Sequence, residues 1–180
     1  MILYHGSCTG GLDELTPFLS EHKKPYVYLT SNPVVALLYA VKPVPKPFSF
    51  YPYGLSGDKV IYSEYFENCF KKLYQGKTGY IYECEVEDGT ENATAISCAY
   101  TTESPVKVLS CARIDDIYEK FMEYREEGLF DIKPFDRIPE KEMAFVLDDL
   151  KSTVEKYDLK NDPDNPMAKF IIENFPMLWR

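Results

Sequence analysis

Residues 26–41 read Tyr-Val-Tyr-Leu-Thr-Ser-Asn-Pro-Val-Val-Ala-Leu-Leu-Tyr-Ala-Val, and the pattern changes period halfway along. Tyr26 to Thr30 alternates aromatic with aliphatic or β-branched residues behind Pro25, the mark of a strand. Ser31 or Asn32 then suits a helix N-cap with Pro33 at the first helical position, and Val34 to Val41 makes a short buried helix that Pro43 must end. Upstream, Met1 to Tyr4 is an apolar strand that delivers a polar tip, His5-Gly6-Ser7, into a turn. Gly10-Gly11 keeps the next stretch irregular, and Leu12, Leu15 and Phe18 support one helical turn at most.

Downstream, Lys42 to Gly57 carries prolines 43, 45, 47 and 52 among Phe48, Phe50, Tyr51 and Tyr53, and reads as a long ordered loop pinned by its aromatics. Tyr62, Tyr65, Phe66, Cys69, Phe70 and Leu73 recur at spacings of three and four, which predicts an amphipathic helix over 62–74 stopped by Gly76. Gly79 to Val86 alternates as a strand, Asp88-Gly89 is a turn, and strands follow within Ala93 to Tyr100 and Val106 to Ala112. From Ile114 the character turns helical, with stripes through Phe121 and Met122, over Pro139 to Val154 and over Pro166 to Phe175, and with Leu129 to Ile132 as an extra strand. The expected fold is α+β: a single domain over 1–180, with a strand-rich body at 1–112 and a mostly helical part at 113–180.

Composition narrows the class. The chain has 180 residues, enough for one well-packed domain, and its longest apolar run, Val34 to Val41, is far short of the roughly 20 residues that span a bilayer. The start MILYHGSC has neither the basic flank nor the long apolar stretch of a signal peptide, so the expected location is cytoplasmic. With 20 Lys and Arg against 29 Asp and Glu the net charge is -9, the wrong sign for a protein that wraps phosphate backbones, and nucleic acid is not an expected partner. Five cysteines, at 8, 69, 84, 98 and 111, contain no C-x-x-C pair and read as buried reduced thiols, with neither a disulfide framework nor a metal site.

Among stock catalytic patterns there is no Walker loop, no G-x-G-x-x-G, no G-x-S-x-G and no H-E-x-x-H. Of two histidines, His22 sits beside Lys23 and Lys24 in a polar stretch suited to a solvated loop. His5 ends an apolar strand, where its ring nitrogens can meet a ligand hydroxyl, while Gly6 lets the backbone approach a flat polar group and Ser7 adds a hydroxyl.

Taken together, Tyr4-His5-Gly6-Ser7, then Tyr26 to Ser31, then Ala36 and Tyr39 resemble the NAD-binding half of ADP-ribosyltransferases of the His-Tyr-Glu type. That group contains poly-ADP-ribose polymerases, diphtheria-type toxins and rifampin-modifying enzymes. In its pattern a strand ending H-G-[ST] precedes a strand with a central Tyr and a short helix bearing a second Tyr eleven positions on, the spacing of Tyr28 and Tyr39. The match covers about the first 40 residues, and the rest follows only in the order of elements.

The resemblance implies a split β-sandwich with a helical C-terminal extension, NAD as co-substrate and no metal. It implies that His5 holds the adenine-side ribose hydroxyl, Gly6 pairs its backbone with the nicotinamide carboxamide, Ser7 contacts the ribose or carboxamide, and Tyr28 and Tyr39 sandwich the nicotinamide ring. Cleaving the nicotinamide bond builds positive charge on the ribose, so a carboxylate is expected beside it. Glu103, just before the strand at Val106, best fits the family's late-strand acid, with Glu83 and Glu85 on the GYIYECEV strand as rivals. Catalysis is thus assigned to Glu103, His5 and Tyr28, with Lys23, Lys24 and Lys42 or Lys46 as donors to the pyrophosphate. Thr101 stands two residues before Glu103, where arginine-directed transferases carry a second acid, so the acceptor, a protein or a small molecule, is left open. The alternative is an inactive nucleotide- or partner-binding module of the same fold. An NAD-dependent RNA 2′-phosphotransferase, similar in fold, would need an arginine-rich site that a chain this acidic lacks.

Overall fold

The computed structural model describes residues 1–19, 24–45, 50–86 and 90–179. In chain order they form β1 (Ile2–Ser7), β2 (Glu14–Leu15), β3 (Phe18–Leu19), β4 (Pro25–Thr30), α1 (Pro33–Tyr39), β5 (Tyr53–Ser56), β6 (Lys59–Ser63), α2 (Cys69–Tyr74), β7 (Gly79–Glu85), β8 (Ala99–Thr102), β9 (Val106–Ile114), α3 (Ile117–Glu126), β10 (Phe130–Lys133), α4 (Glu140–Lys156) and α5 (Pro166–Asn174). The architecture is α+β, as the sequence pattern predicts. His22, Lys23, Lys46, Phe48 and the Asp88-Gly89 turn lie outside the described residues. The chain divides into two compact units, one of residues 1–42 and 74–130, the other of residues 43–73 and 131–180.

The first unit holds a seven-stranded antiparallel sheet in the order β2-β9-β7-β1-β4-β3, with β8 also paired to β4. Thr30 pairs with Tyr4 of β1 and with Ala99 of β8, so these two strands flank β4 on opposite edges. The link from β8 to β9 is only Glu103-Ser104-Pro105. Four residue steps reach about 14 Å, whereas the four strand spacings from β8 to β9 span about 19 Å in a flat sheet. The sheet must therefore curl. Its interior is filled by Leu3, Leu15, Val27, Leu29, Tyr82, Cys84 and Val106, all buried in one apolar cluster. Its other face carries α1, which starts on the N-cap predicted from Asn32, whose Oδ1 accepts the Val34 N–H at 2.9 Å. The helix lies so close that a methyl group at Gly6 would overlap the Ala36 carbonyl oxygen.

In the second unit β10, β6 and β5 form a three-stranded sheet in that order. Ser56 pairs with Lys59, so β5 and β6 are joined by the two-residue turn Gly57-Asp58, with Gly57 at φ 62°. The core here is aromatic: Phe66 meets Phe175 edge-on at 5.5 Å between ring centres, and Phe50 stacks on Phe66 at 6.5 Å.

Several expectations change. The end of the loop read over 42–57 forms β5, and the strand read within 93–100 forms at Ala99–Thr102. The helix predicted over 62–74 is confined to Cys69–Tyr74. Lys59 to Ser63 is instead a strand in which Val60 and Tyr62 alternate inward, and Asn68 takes a left-handed turn (φ 57°) before the helix begins. The three-four spacing of Tyr62, Tyr65 and Phe66 arises from a strand end and a turn. The stretch holding Leu12, Leu15 and Phe18 contains the short strands β2 and β3 in place of a helical turn. The thiols are not uniformly buried either: Cys69 and Cys84 are buried, whereas Cys8, just after β1, and Cys111, within β9, are exposed, and Cys98 is half-buried.

Candidate functional site

The main chain of β1 decides what Gly6 can do. Met1 and Val86 exchange both backbone hydrogen bonds, at 3.2 and 3.0 Å. By the alternation of an antiparallel ladder, Leu3, His5 and Ser7 then bond toward β7, while Ile2, Tyr4 and Gly6 turn their N–H and C=O toward β4. Tyr4 meets Thr30, the one registered pair between β1 and β4, and Gly6 lies beyond it. There the His5 imidazole reaches across, its Nδ1 2.8 Å from the Tyr28 carbonyl oxygen. A carbonyl only accepts, so Nδ1 carries the proton and Nε2 of the neutral ring is an acceptor. Burial pushes the His5 pKa down, and the Tyr28 carbonyl opposes this more weakly, so the ring is neutral near pH 7.

Strand alternation separates the side chains that the backbone brings together. His5 leaves the sheet on the interior face, paired with Tyr82, whose ring centre is 6.4 Å away. Tyr82 in turn donates to the Thr9 carbonyl at 2.7 Å and accepts the Leu12 N–H, pinning the segment after β1. Tyr28 leaves on the opposite face, where its ring lies 5.7 Å from Phe18 and 6.0 Å from Tyr26. Tyr39, the last residue of α1, is 40% exposed. Ser7 accepts the Thr9 N–H at 3.1 Å in a local turn. The absent Cβ of Gly6 serves the approach of α1, and its backbone groups point along the sheet plane into the seam.

Of the acids, Glu103 sits exposed in the β8–β9 link with its Oε1 3.3 Å from Lys24 Nζ. The carboxylate raises the Lys24 pKa, so one lysine expected at a pyrophosphate is engaged by the acid expected at the ribose. Glu83 and Glu85 share one face of β7, both exposed, and Glu83 accepts from Ser110 at 2.9 Å. Glu83 is registered against Tyr4, which puts it on the face that carries Gly6. Thr101, opposite Tyr28 in the β4–β8 ladder, is buried and donates its hydroxyl to the Glu91 carbonyl at 2.9 Å. Lys42 is exposed.

The second unit contains a polar group that sequence spacing could not reveal. Tyr65 donates to Glu142 Oε1 at 2.8 Å, Lys133 Nζ lies 2.7 Å from Oε2, and the Ser63 hydroxyl bonds to the same pair. Lys133 holds the Glu142 carboxyl below the usual carboxylate range, and burial pushes the Tyr65 phenol up to about 12, assisted by Glu142. Two cavities, of about 400 and 300 Å3, lie in this unit, and neither is lined by His5, Tyr28, Tyr39 or Glu103.

Among the described residues no helix is long and apolar enough to cross a membrane, and no group of three or more His, Cys, Asp or Glu is arranged to hold a metal ion. Compared with protein-family models, with curated proteins and with solved structures, the chain matches none.

Proposed function

We propose that the chain is an ADP-ribosyltransferase-like protein that binds NAD at the seam between β1 and β4 and cleaves the bond from ribose C1′ to the nicotinamide nitrogen. One observation carries this reading. Gly6 directs one donor and one acceptor to the same side beyond the last registered pair of the ladder, the complement of a carboxamide, which offers one acceptor and one donor. Beside it, His5 Nε2 is an acceptor for a ribose hydroxyl, fixed by the Nδ1 bond to Tyr28. The curled antiparallel sheet is compatible with the split β-sandwich of that family.

In the reaction the bonding pair leaves with nicotinamide, and a lone pair of the acceptor, or of water by default, forms the new bond to C1′. The acceptor then loses its proton to solvent. Glu103, released from Lys24, or Glu83 on the Gly6 face stabilises the cationic sugar through its 2′-hydroxyl. Tyr28 and Tyr39 flank the leaving ring when it spans the seam.

The test follows nicotinamide release from NAD, alone and with cell extract. Release that falls at least about tenfold in either Glu103→Ala or Glu83→Ala supports the reading and names the acid; release unchanged by both substitutions and by His5→Ala contradicts it. The exposed Glu103–Lys24 pair favours a second reading, a nucleotide-binding module without turnover. Calorimetric binding of NAD, weakened by His5→Ala and unaccompanied by nicotinamide release, selects that reading.

A further inference from the structure

The larger cavity, of about 400 Å3, has the size of a small-ligand site. One wall is α4, where Glu142, Phe145, Val146, Asp149 and Leu150 follow the three-four spacing of one helical stripe. The facing wall comes from the approach to β5 and from the end of β6, and it presents Tyr51, Tyr53 and Tyr65. Gly54 leaves open space within 4 Å of where a side chain would begin.

Three facts define the ligand's charge. No lysine or arginine lines the cavity among the described residues. Glu142 is already matched by Lys133 and Tyr65, so that wall is fixed and nearly neutral. Asp149, exposed about two turns further along the stripe, has no ion pair among the described residues and is the uncompensated charge. Phe145 stands one turn before it on the same stripe, with 75% of its surface exposed. A cavity lined by aromatic side chains and one unmatched carboxylate favours a cation with an apolar body, because ring faces attract such a cation while its methyl or methylene groups leave water.

We propose that this cavity binds an alkylammonium group, either a free quaternary amine or the side chain of a lysine in a peptide. The proposal is independent of NAD chemistry, which the first unit would carry.

The full-length protein is titrated by calorimetry with choline, with its neutral isostere 3,3-dimethylbutan-1-ol, and with Nα-acetyl-lysine amide. Binding of choline or of the lysine amide at least about tenfold tighter than the neutral alcohol, and weakened about tenfold by Asp149→Asn, is the expected result. Which of the two cations binds distinguishes the free amine from the peptide source. Phe145→Ala, also at an exposed position, is expected to weaken binding severalfold. An unchanged thermal midpoint in each variant shows that the fold is kept. The neutral alcohol binding as well as the cations, neither cation binding, or both variants binding like the parent overturns the proposal.

Discussion

The two units place their polar groups by different means. In the first, backbone directions set by a strand ladder put Gly6 and His5 at the seam with Tyr28, and residues adjacent in sequence carry the arrangement. In the second, side chains remote in sequence, Tyr65 and Glu142, meet because a hairpin end and a helix pack around an aromatic core. The first kind of site is written in a short string; the second exists only after folding. Substitutions separate the two, in order of expected effect.

Phe175→Ala removes a 1%-exposed ring that contacts Phe50, Phe66 and Phe170. It is expected to cost about 3–5 kcal/mol, seen as an early denaturation step in the fluorescence of Trp179, the chain's one tryptophan, which the second unit contains. Gly6→Ala drives a methyl into the Ala36 carbonyl, backbone against backbone, and belongs at the upper end of about 1–3 kcal/mol. Circular dichroism during denaturation measures it. An alanine tolerated at position 6 would mean that α1 does not sit on β1 as described.

Asn32→Ala strips the cap from α1 and is expected to cost about 1 kcal/mol by the same measurement. His5 supplies a smaller, pH-dependent effect. Its folded pKa is below the ordinary 6.5, so the unfolded chain binds more protons as pH falls beneath that value. Stability is complete above pH 6.5 and declines as pH drops toward the lowered folded value. His5→Gln should flatten that part of the profile. Smallest of all, Lys24→Ala breaks an exposed pair and is expected to leave the denaturation midpoint unchanged.

Much of the first unit was legible because local rules decide it. Pro33 behind Asn32 has a geometric meaning independent of tertiary context, and the alternation of Tyr26 to Thr30 survived because both faces of β4 are covered. The failure at 62–74 is instructive. Tyr62, Tyr65 and Phe66 satisfy a helical spacing, yet Lys59 to Ser63 had a partner strand available across Gly57-Asp58, and a ladder plus burial of Val60 and Tyr62 outweighs a helical preference. At the site, His5 and Gly6 were singled out by their place at a strand end, but no pattern in the string could tell that Gly6 faces Ala36 or that Glu103 is held by Lys24. The face taken by Tyr28 relative to His5 depends on register, which appears only when strands pair.

The most direct test is a 15N-resolved NMR titration of the whole chain with nicotinamide. The amide of Gly6 and those of its neighbours in β1 and β4 are predicted to shift in a saturable way, with the residues of α4 unaffected. Shifts confined to the second unit, or none at saturating nicotinamide, would contradict a carboxamide-binding seam.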